Sequence, residues 1–275
     1  MMSEDRGGSV AGKCIPLRPD GKELCSKELY RYLFRQNQIF DLFFFGLDMA
    51  TSIDKQRLVA AKALAKFGSE EDRLRLEELN DSPQQMFDKL TTFSNLQSEN
   101  LCIRSIDNFT SYLSEIVQRV MKKRPEILKS SESILLEDVL EFKNYRDLIE
   151  FISNRKINEL SYKKLSEFEK FLKDRTGLFF TDIKKDRSTL MLGIEARNIY
   201  THNRGVVNEV TLRKLSEMNI DHDLKHGERY HMGFDELTQL QNASMRIARN
   251  IDSRFAEKFR IQRKKFSTFA DNSAK

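Results

Sequence analysis

The sequence is poor in residues that break helices and in residues that cross-link small folds. Its 275 residues include only 11 Gly and 4 Pro, with long helically periodic segments between them, which favours an all-α architecture. The three cysteines show no Cys-x-x-Cys or Cys/His ligand spacing. This argues against a disulfide scaffold or a structural zinc site and for a reducing compartment.

Long apolar runs are also missing. The longest, IFDLFFFGL at residues 39–47, contains Asp41 and is far shorter than the roughly 20 apolar residues that a membrane-spanning helix needs. The N-terminus begins with acidic and glycine residues and has no apolar core of the kind that a signal peptide carries. We therefore expect a soluble, cytoplasmic protein with no membrane partner.

Charge is abundant. Charged residues make up 32% of the chain and the net charge is +5, a mild basic excess that allows a nucleic-acid partner without requiring one. A highly charged helical surface without any such partner has the same composition. Composition alone therefore leaves both interpretations open.

The chain divides into four predicted segments. These are a disordered leader over residues 1–25, an N-terminal helical region over 26–96, a helical domain over 97–262 and a basic tail over 263–275. The basic end, KFRIQRKKF, fits either a solvated tail or an electrostatic contact for RNA. In the leader, Gly7, Gly12 and Lys13 have the spacing of a phosphate-binding loop. Because Cys14 stands where Ser or Thr would hold magnesium, we expect no nucleotide site there.

Helical signals follow one another through the N-terminal region. After Ser26, six apolar residues share one helical stripe and indicate a core face: Tyr30, Leu33, Phe34, Phe40, Phe44 and Leu47. A second helix is predicted over residues 52–67, ending at Gly68. Ser69 with Asp72 resembles a capping box, and Ser82 before Pro83 signals a further helix start. No catalytic constellation is found here, so we expect a docking or regulatory surface.

Strong amphipathic helices are predicted in the rest of the chain. One long helix precedes Pro125 and has a single apolar face: Cys102, Ile106, Phe109, Leu113, Ile116, Val117 and Val120. Ser161 is predicted to cap a helix that ends at Gly177 and carries the stripe Leu165, Phe168 and Leu172. A final helix from about residue 235 has one seam: Leu237, Leu240, Ser244, Ile247 and Ile251.

Between these helices lies a polar motif, IEARNIYTHNRGVVNE, at residues 194–209. It ends a helix predicted to run from about residue 182 or 188 to Asn203. Asn198 and His202 are four residues apart and share a face, whereas Arg197 lies about 140° round the axis and roughly 7.5 Å along it from His202. Either the long Arg197 side chain wraps round the helix, or a second copy completes the site. This spacing favours a homodimer.

A histidine cluster offers a competing metal site. His222, His226 and His231 lie near Asp221 and Asp223, and a His-x3-His spacing would put two imidazoles on one helical face. The segment has weak helical periodicity, and no His-Glu-x-x-His motif is present. We therefore expect neither a metal nor another cofactor.

The motif RNIYTHNRGVVN resembles the signature of HEPN domains, which are small helical modules. Three further segments are similar to the helices of that family: SIDNFTSYLSEIVQRVMKKRPEIL, YKKLSEFEKFLKDRTGL and GERYHMGFDELTQLQNASMRIARNIDSRF. The likeness covers residues 96–262 and is closest to the group with His-Asn-x-Gly-x-Val after the motif helix. It implies a HEPN-type helical bundle, with the N-terminal helices as an addition.

The resemblance also implies chemistry. Ribonuclease members of the family carry Arg, a polar residue, three further residues and His, which here are Arg197, Asn198 and His202. Metal-independent RNA cleavage needs proton transfer at the 2′-hydroxyl and the leaving oxygen, with positive charge on the phosphate. His202 suits the proton transfer, Arg197 the phosphate contact and Asn198 the orientation of either one. Asn203 and Arg204 are candidate RNA-binding residues, and local capping of the helix end is the alternative role for them.

The implied partners are RNA, a second copy and a regulatory or antitoxin protein, as expected for a toxin or phage-defence effector. Members paired with nucleotidyltransferase antitoxins often carry a Tyr two residues after the His, and Arg204 stands there in this sequence. HEPN modules also occur as non-catalytic partners, so an interaction module is the alternative. An open, positively lined groove at His202 would favour the nuclease, and a buried, hydrogen-bonded His202 would favour the interaction module.

Overall fold

The computed structural model describes residues 14–129, 134–161 and 165–273. This part of the chain is mostly helical, and its only β structure is one pair of two-residue strands and one isolated bridge. The predicted all-α class is thus confirmed. The elements are β1 (Leu24–Cys25), α1 (Lys27–Leu64), α2 (Glu70–Asp81), α3 (Gln85–Thr91), α4 (Ser94–Lys123), a 3-10 turn (Pro125–Leu128), α5 (Leu136–Leu140), α6 (Tyr145–Ser161), α7 (Leu165–Thr176), α8 (Lys184–Asn203), α9 (Glu209–Glu217), α10 (Phe234–Phe259), β2 (Lys264–Lys265) and α11 (Phe266–Ser273).

Helix α1 is longer than the sequence indicated. The two helices predicted before Gly68 are one helix of 38 residues, which passes through Gly46 without a break and ends at Leu64. A glycine inside a helix costs only about 1 kcal/mol relative to alanine. The packing of α1 against α2, α3 and α4 outweighs this preference.

Helix α2 is capped by residues next to it in sequence, whereas α3 is capped by a residue of another helix. Ser69 and Asp72 form the predicted capping box at α2. The predicted cap at Ser82 is wrong, because α3 begins at Gln85 without a side-chain cap of its own. Instead the carboxylate of Asp54 on α1 accepts the backbone N–H groups of Met86 and Phe87 at 3.0 Å.

Helix α4 runs through the centre of the fold and packs against α1, α6, α8 and α10. All seven residues of its predicted apolar face are at most 2% exposed. One core cluster joins them to Leu29 and Leu33 of α1 and to the predicted seam of α10. The proposed boundary at residue 96 is therefore not a break in the packing, and α1 belongs to the same core as the motif helix.

Both predicted terminal segments are partly folded against this core. Within the expected leader, β1 pairs antiparallel with β2, and the backbone N–H of Leu17 donates to Asn242 at 2.7 Å. Within the expected basic tail, Phe266 and Phe269 pack on the ring of Tyr30. Residues 14–25 and 263–273 are thus held against the core and are not free as a leader and a tail would be. The strand pair, the hydrogen bond to Asn242 and the aromatic contacts with Tyr30 hold them there. The phosphate-loop-like spacing at Gly7 and Gly12 falls outside the described residues.

Helices α8 and α10 meet at Gly193. A Cβ atom at this position would lie 2.4 Å from Cδ1 of Leu240, a buried residue of α10. Only a glycine lets the two helices approach this closely without displacing Leu240. The contact sets the position of α8, and with it the position of the motif.

Candidate active site

The motif occupies the last two turns of α8, and its apolar members fix it in place. Ala196 and Ile199 are fully buried, and the hydroxyl of Tyr200 accepts a hydrogen bond from the backbone N–H of Met232 at 3.0 Å. The ring of Tyr200 also stacks on Tyr230 with centroids 5.7 Å apart. Burial raises the pKa of the Tyr200 hydroxyl above its ordinary value, so this group stays neutral and acts as a structural anchor.

The helix ends as the sequence predicted. Arg204 adopts a left-handed conformation with φ of 52°, and Gly205 follows with φ of 82°. Such residues commonly terminate helices because they turn the chain away while satisfying the last carbonyl groups. The carbonyl of Ile199 accepts the N–H of Gly205 at 3.1 Å, and the carbonyl of Gly205 accepts the N–H of Tyr230 at 2.8 Å.

The three motif residues assigned to catalysis line one open groove of about 970 Å³. Its walls come from α4, α6, α7, α8 and α9 and the residues beside them. Arg197 and Asn198 are half-buried there and His202 is exposed. A single chain therefore brings Arg197 and His202 to the same groove, and no second copy is needed to join them. Asn203 and Arg204 do not line this groove: Asn203 is half-buried beside it, and Arg204 is exposed.

Arg197 has two partners. Its Nε donates to Oδ1 of Asp107 on α4 at 3.2 Å, and its Nη1 donates to Oδ1 of Asn198 at 3.4 Å. The ion pair is partly open to solvent, since 30% of the Arg197 side chain and 48% of the Asp107 side chain are exposed. Pairs of this kind contribute at most about 1 kcal/mol, so an incoming anion can compete for the guanidinium.

A second ion pair joins α8 to α9. Nζ of Lys214 lies 3.4 Å from Oε2 of Glu195, whose side chain is 10% exposed. The spacing of the motif gives no role to Asp107 or Lys214. Neither belongs to the motif, and only knowledge of which helix faces α8 identifies them.

The groove is not positively lined. Its described lining includes four carboxylates and only two groups that are always cationic: Asp107, Glu115, Glu195 and Glu217 against Arg197 and Lys214. The exposure of His202 agrees with what we expected of a nuclease site. The charge of the groove does not, because a nuclease was expected to have a positively lined groove. Any anionic ligand must therefore be held by specific contacts and not by the general field of the groove.

Neither buried cysteine is suited to nucleophilic catalysis. Burial raises the pKa of the Cys102 thiol to about 12, and that thiol donates to the carbonyl of Gly193 inside the α4–α8 interface. Burial likewise raises the pKa of Cys25 to about 12. Both are protonated at neutral pH, whereas the reactive form of cysteine is the thiolate.

The histidine cluster does not form a metal site. Nδ1 of His222 accepts the backbone N–H of Leu224 at 3.3 Å, and His226 and His231 are exposed. Among the residues that the structure describes, no group of three or more His, Cys, Asp or Glu side chains is placed to hold a metal ion. The segment also lacks the helix that would align two of its imidazoles.

Comparisons with models of protein families, with curated proteins and with solved structures found no match. In the described part of the chain, every helix is too short or too polar to cross a membrane. Functional inference therefore rests on the motif and on the groove that contains it.

Proposed function

We propose that the chain is a metal-independent endoribonuclease of the HEPN type. One observation carries the proposal. The three residues that the family resemblance assigns to catalysis, Arg197, Asn198 and His202, line one open groove. The products would be a 2′,3′-cyclic phosphate and a 5′-hydroxyl, because the groove, as far as the structure describes its lining, holds no cysteine and no serine paired with a base that could replace the 2′-hydroxyl as nucleophile. A toxin or phage-defence effector, controlled by a regulatory or antitoxin protein, is the biological role that fits this activity.

In this mechanism Arg197 exchanges one anion for another. The guanidinium leaves the carboxylate of Asp107 and takes two phosphate oxygens with its planar fork. Asn198 is within 3.4 Å of Arg197 Nη1 and keeps the guanidinium oriented during the exchange. The positive charge then offsets the charge that develops on the phosphate.

His202 supplies the proton transfers. Its side chain is exposed at the edge of the groove, where an RNA strand can reach it from solvent. Histidine is the commonest general acid or base in enzymes, so His202 can take the proton of the 2′-hydroxyl or deliver one to the leaving 5′-oxygen. Arg204, exposed just after the helix, and the half-buried Asn203 would contact the RNA backbone. A homodimer with two α8 helices near its axis would provide both proton-transfer groups at once.

A non-catalytic interaction module is the second candidate. The carboxylate-rich lining of the groove favours it, since a surface with this charge balance suits a basic protein segment better than RNA. In that case the Arg197–Asp107 pair would serve as a structural contact. The groove would then bind a partner without turnover.

Cleavage of RNA separates the two candidates. Wild type, His202→Ala and the control His231→Ala, which removes an exposed histidine outside the groove, should be incubated with RNA with and without EDTA. We expect His202→Ala to lower the rate by about 10²- to 10⁴-fold, with no effect of EDTA and none of His231→Ala. End-group analysis should give 5′-hydroxyl ends. An absence of RNA cleavage by the wild type would favour the interaction module, and 5′-phosphate ends would exclude the mechanism.

A further inference from the structure

Helix α1 carries an apolar face that points away from the rest of the fold. In its second half, Ala50, Asp54 and Ala61 are buried on the side that packs against neighbouring helices. On the opposite side, large apolar side chains are open to solvent: Leu42 at 72%, Phe45 at 61%, Met49 at 46% and Val59 at 67% exposure. Contiguous apolar surface of this kind marks an interaction site in a soluble protein.

The exposed face follows the repeat of a coiled coil. Its positions are separated by alternating steps of three and four residues, and every one of them is exposed and uncharged: Leu42, Phe45, Met49, Ser52, Gln56, Val59 and Ala63. This is the a/d spacing at which one helix packs on another through side chains interlocked in layers. We name these seven residues the α1 seam. Charged residues make up 32% of the chain, so seven successive seam positions without charge form a distinct surface.

The charged residues beside the seam indicate which partner helix would bind to it. Asp48 and Lys55 are both exposed and stand one residue before Met49 and Gln56, the flanking g positions of the repeat. In an antiparallel pair of identical helices, Asp48 of each copy lies opposite Lys55 of the other. In a parallel pair they would face Ile53 and Ala60, which have no charge. The seam is thus complementary to a reversed copy of itself.

We propose that two copies of this chain associate through the α1 seam as an antiparallel helix pair. The twofold axis passes between Ala50 and Thr51. On either side of this axis, a large seam residue of one copy packs against a smaller or narrower side chain of the other copy: Met49 against Ser52, Phe45 against Gln56, and Leu42 against Val59. Residues 42–59 span roughly 26 Å of helix, long enough for six such layers. A contact of this type is isologous and closes on itself as a dimer.

The α1 seam shares no residue with the groove that contains the motif. The proposal is therefore independent of the ribonuclease assignment and stands whether or not RNA is cleaved. It also differs from a dimer formed through α8. A chain that used both contacts would form assemblies larger than a dimer, because each contact links one further copy.

Sedimentation over a concentration series tests the interface. Wild type should show a monomer–dimer equilibrium, and Met49→Glu should raise the dissociation constant by about 30-fold or more, as for loss of an interface hot spot. Leu136→Glu is the control, since Leu136 is also a large exposed apolar residue, at 72%, but lies on α5 and outside the seam. Circular dichroism should show that both variants remain folded. A wild type that stays monomeric at its highest soluble concentration, or a dimer that Met49→Glu leaves intact, would overturn the proposal.

Charge reversal tests the antiparallel direction. Lys55→Glu sets a carboxylate opposite Asp48 of the second copy, and Asp48→Lys sets an amine opposite Lys55, so each change should weaken the dimer by several fold, about the effect of like charges at paired positions. The double variant restores opposite charges across the axis and should recover most of the wild-type affinity. A double variant that is weaker than either single variant would exclude this arrangement.

Cysteine cross-linking gives the register. In a Cys14→Ser background, chains with Met49→Cys should form a disulfide with chains carrying Ser52→Cys when the two are mixed, because facing seam positions bring their Cβ atoms within disulfide range. Cys25 and Cys102 are buried and should not interfere. Cross-linking of Met49→Cys with itself, without cross-linking in the mixture, would indicate a parallel pair and refute the proposed register.

Discussion

The carboxylate of Asp107 and the guanidinium of Arg197 face each other across the α4–α8 interface, with Oδ1 3.2 Å from both Nε and Nη2. The two residues are 90 positions apart in sequence. This pair occupies the fork of Arg197 before any anion binds. In the proposed mechanism Asp107 therefore competes with the phosphate for Arg197.

Replacing Asp107 should strengthen RNA binding. Asp107→Asn removes the competing charge but keeps an oxygen that can accept from Arg197 Nε. Since exposed ion pairs contribute up to about 1 kcal/mol, we expect RNA affinity to rise by up to about fivefold. Fluorescence anisotropy in a His202→Ala background measures binding without cleavage. Glu115→Gln is the control, because Glu115 lines the same groove but pairs with Arg31. Equal gains in both variants would show that only the overall charge matters.

The geometry of Arg197 should matter as much as its charge. Arg197→Lys keeps the positive charge but loses the planar fork, so we expect single-turnover RNA cleavage to fall by about 10²-fold, as for loss of one preorganised donor. Asn198→Ala should cause a smaller loss if that residue only orients its neighbour. Arg213→Lys, at an exposed position of α9, is the control and should have no effect. Full activity of Arg197→Lys would contradict a two-oxygen contact to phosphate.

Gly193 should be intolerant of a side chain. Gly193→Ala forces Leu240 to move, because the new Cβ would lie 2.4 Å from Cδ1 of that residue. Overpacking typically costs about 1–3 kcal/mol, and the helix propensity of alanine returns about 1 kcal/mol of it. Urea denaturation should show a net loss of stability, and Leu240→Ala should make the two changes less than additive. Gly46→Ala is the matched control in α1, where an added Cβ would meet no atom outside its own helix backbone within 4 Å, and it should stabilise the protein slightly. A stabilising Gly193→Ala would refute the close contact.

The buried carboxyl of Asp252 should make stability depend on Arg263. Asp252 is 0% exposed, accepts the backbone N–H of Ser26 at 3.2 Å and lies 3.1 Å from Arg263 Nε. Burial raises its pKa above the ordinary carboxyl value, and Arg263 partly opposes this effect. Arg263→Met leaves the charge buried without that partner, and such losses cost about 3–5 kcal/mol.

The loss of stability caused by Arg263→Met should depend on pH in a defined direction. A carboxyl with a raised pKa in the folded state favours folding most when it is protonated, so its contribution is lost as pH rises through the folded pKa. Removing Arg263 raises the pKa of Asp252 further. The stability gap between wild type and Arg263→Met should therefore be largest at neutral pH and shrink on acidification. Adding Asp252→Asn should recover part of the loss at neutral pH, and a gap that widens in acid would contradict this account.

Local patterns in the sequence determined much of the fold. The apolar faces of α4 and α10 repeat at helical spacing, so their burial follows from amphipathicity alone. The capping box at Ser69 and the helix end at Gly205 were also readable, because each depends on residues only a few positions apart. The motif itself belongs to this class, since a four-residue spacing puts Asn198 and His202 on one face of α8.

Tertiary packing decided the rest, because contacts between distant residues leave no local pattern. The cap of α3 comes from Asp54, about thirty positions upstream in α1. The continuity of α1 through Gly46 depends on the helices packed against it. The placement of residues 14–25 and 263–273 depends on aromatic contacts and on the strand pair between these two segments. Asp107 beside Arg197 belongs to the same class. The sequence alone identified the candidate site residues, and only the packing of α4 and α9 on α8 decided which charged groups lie beside them.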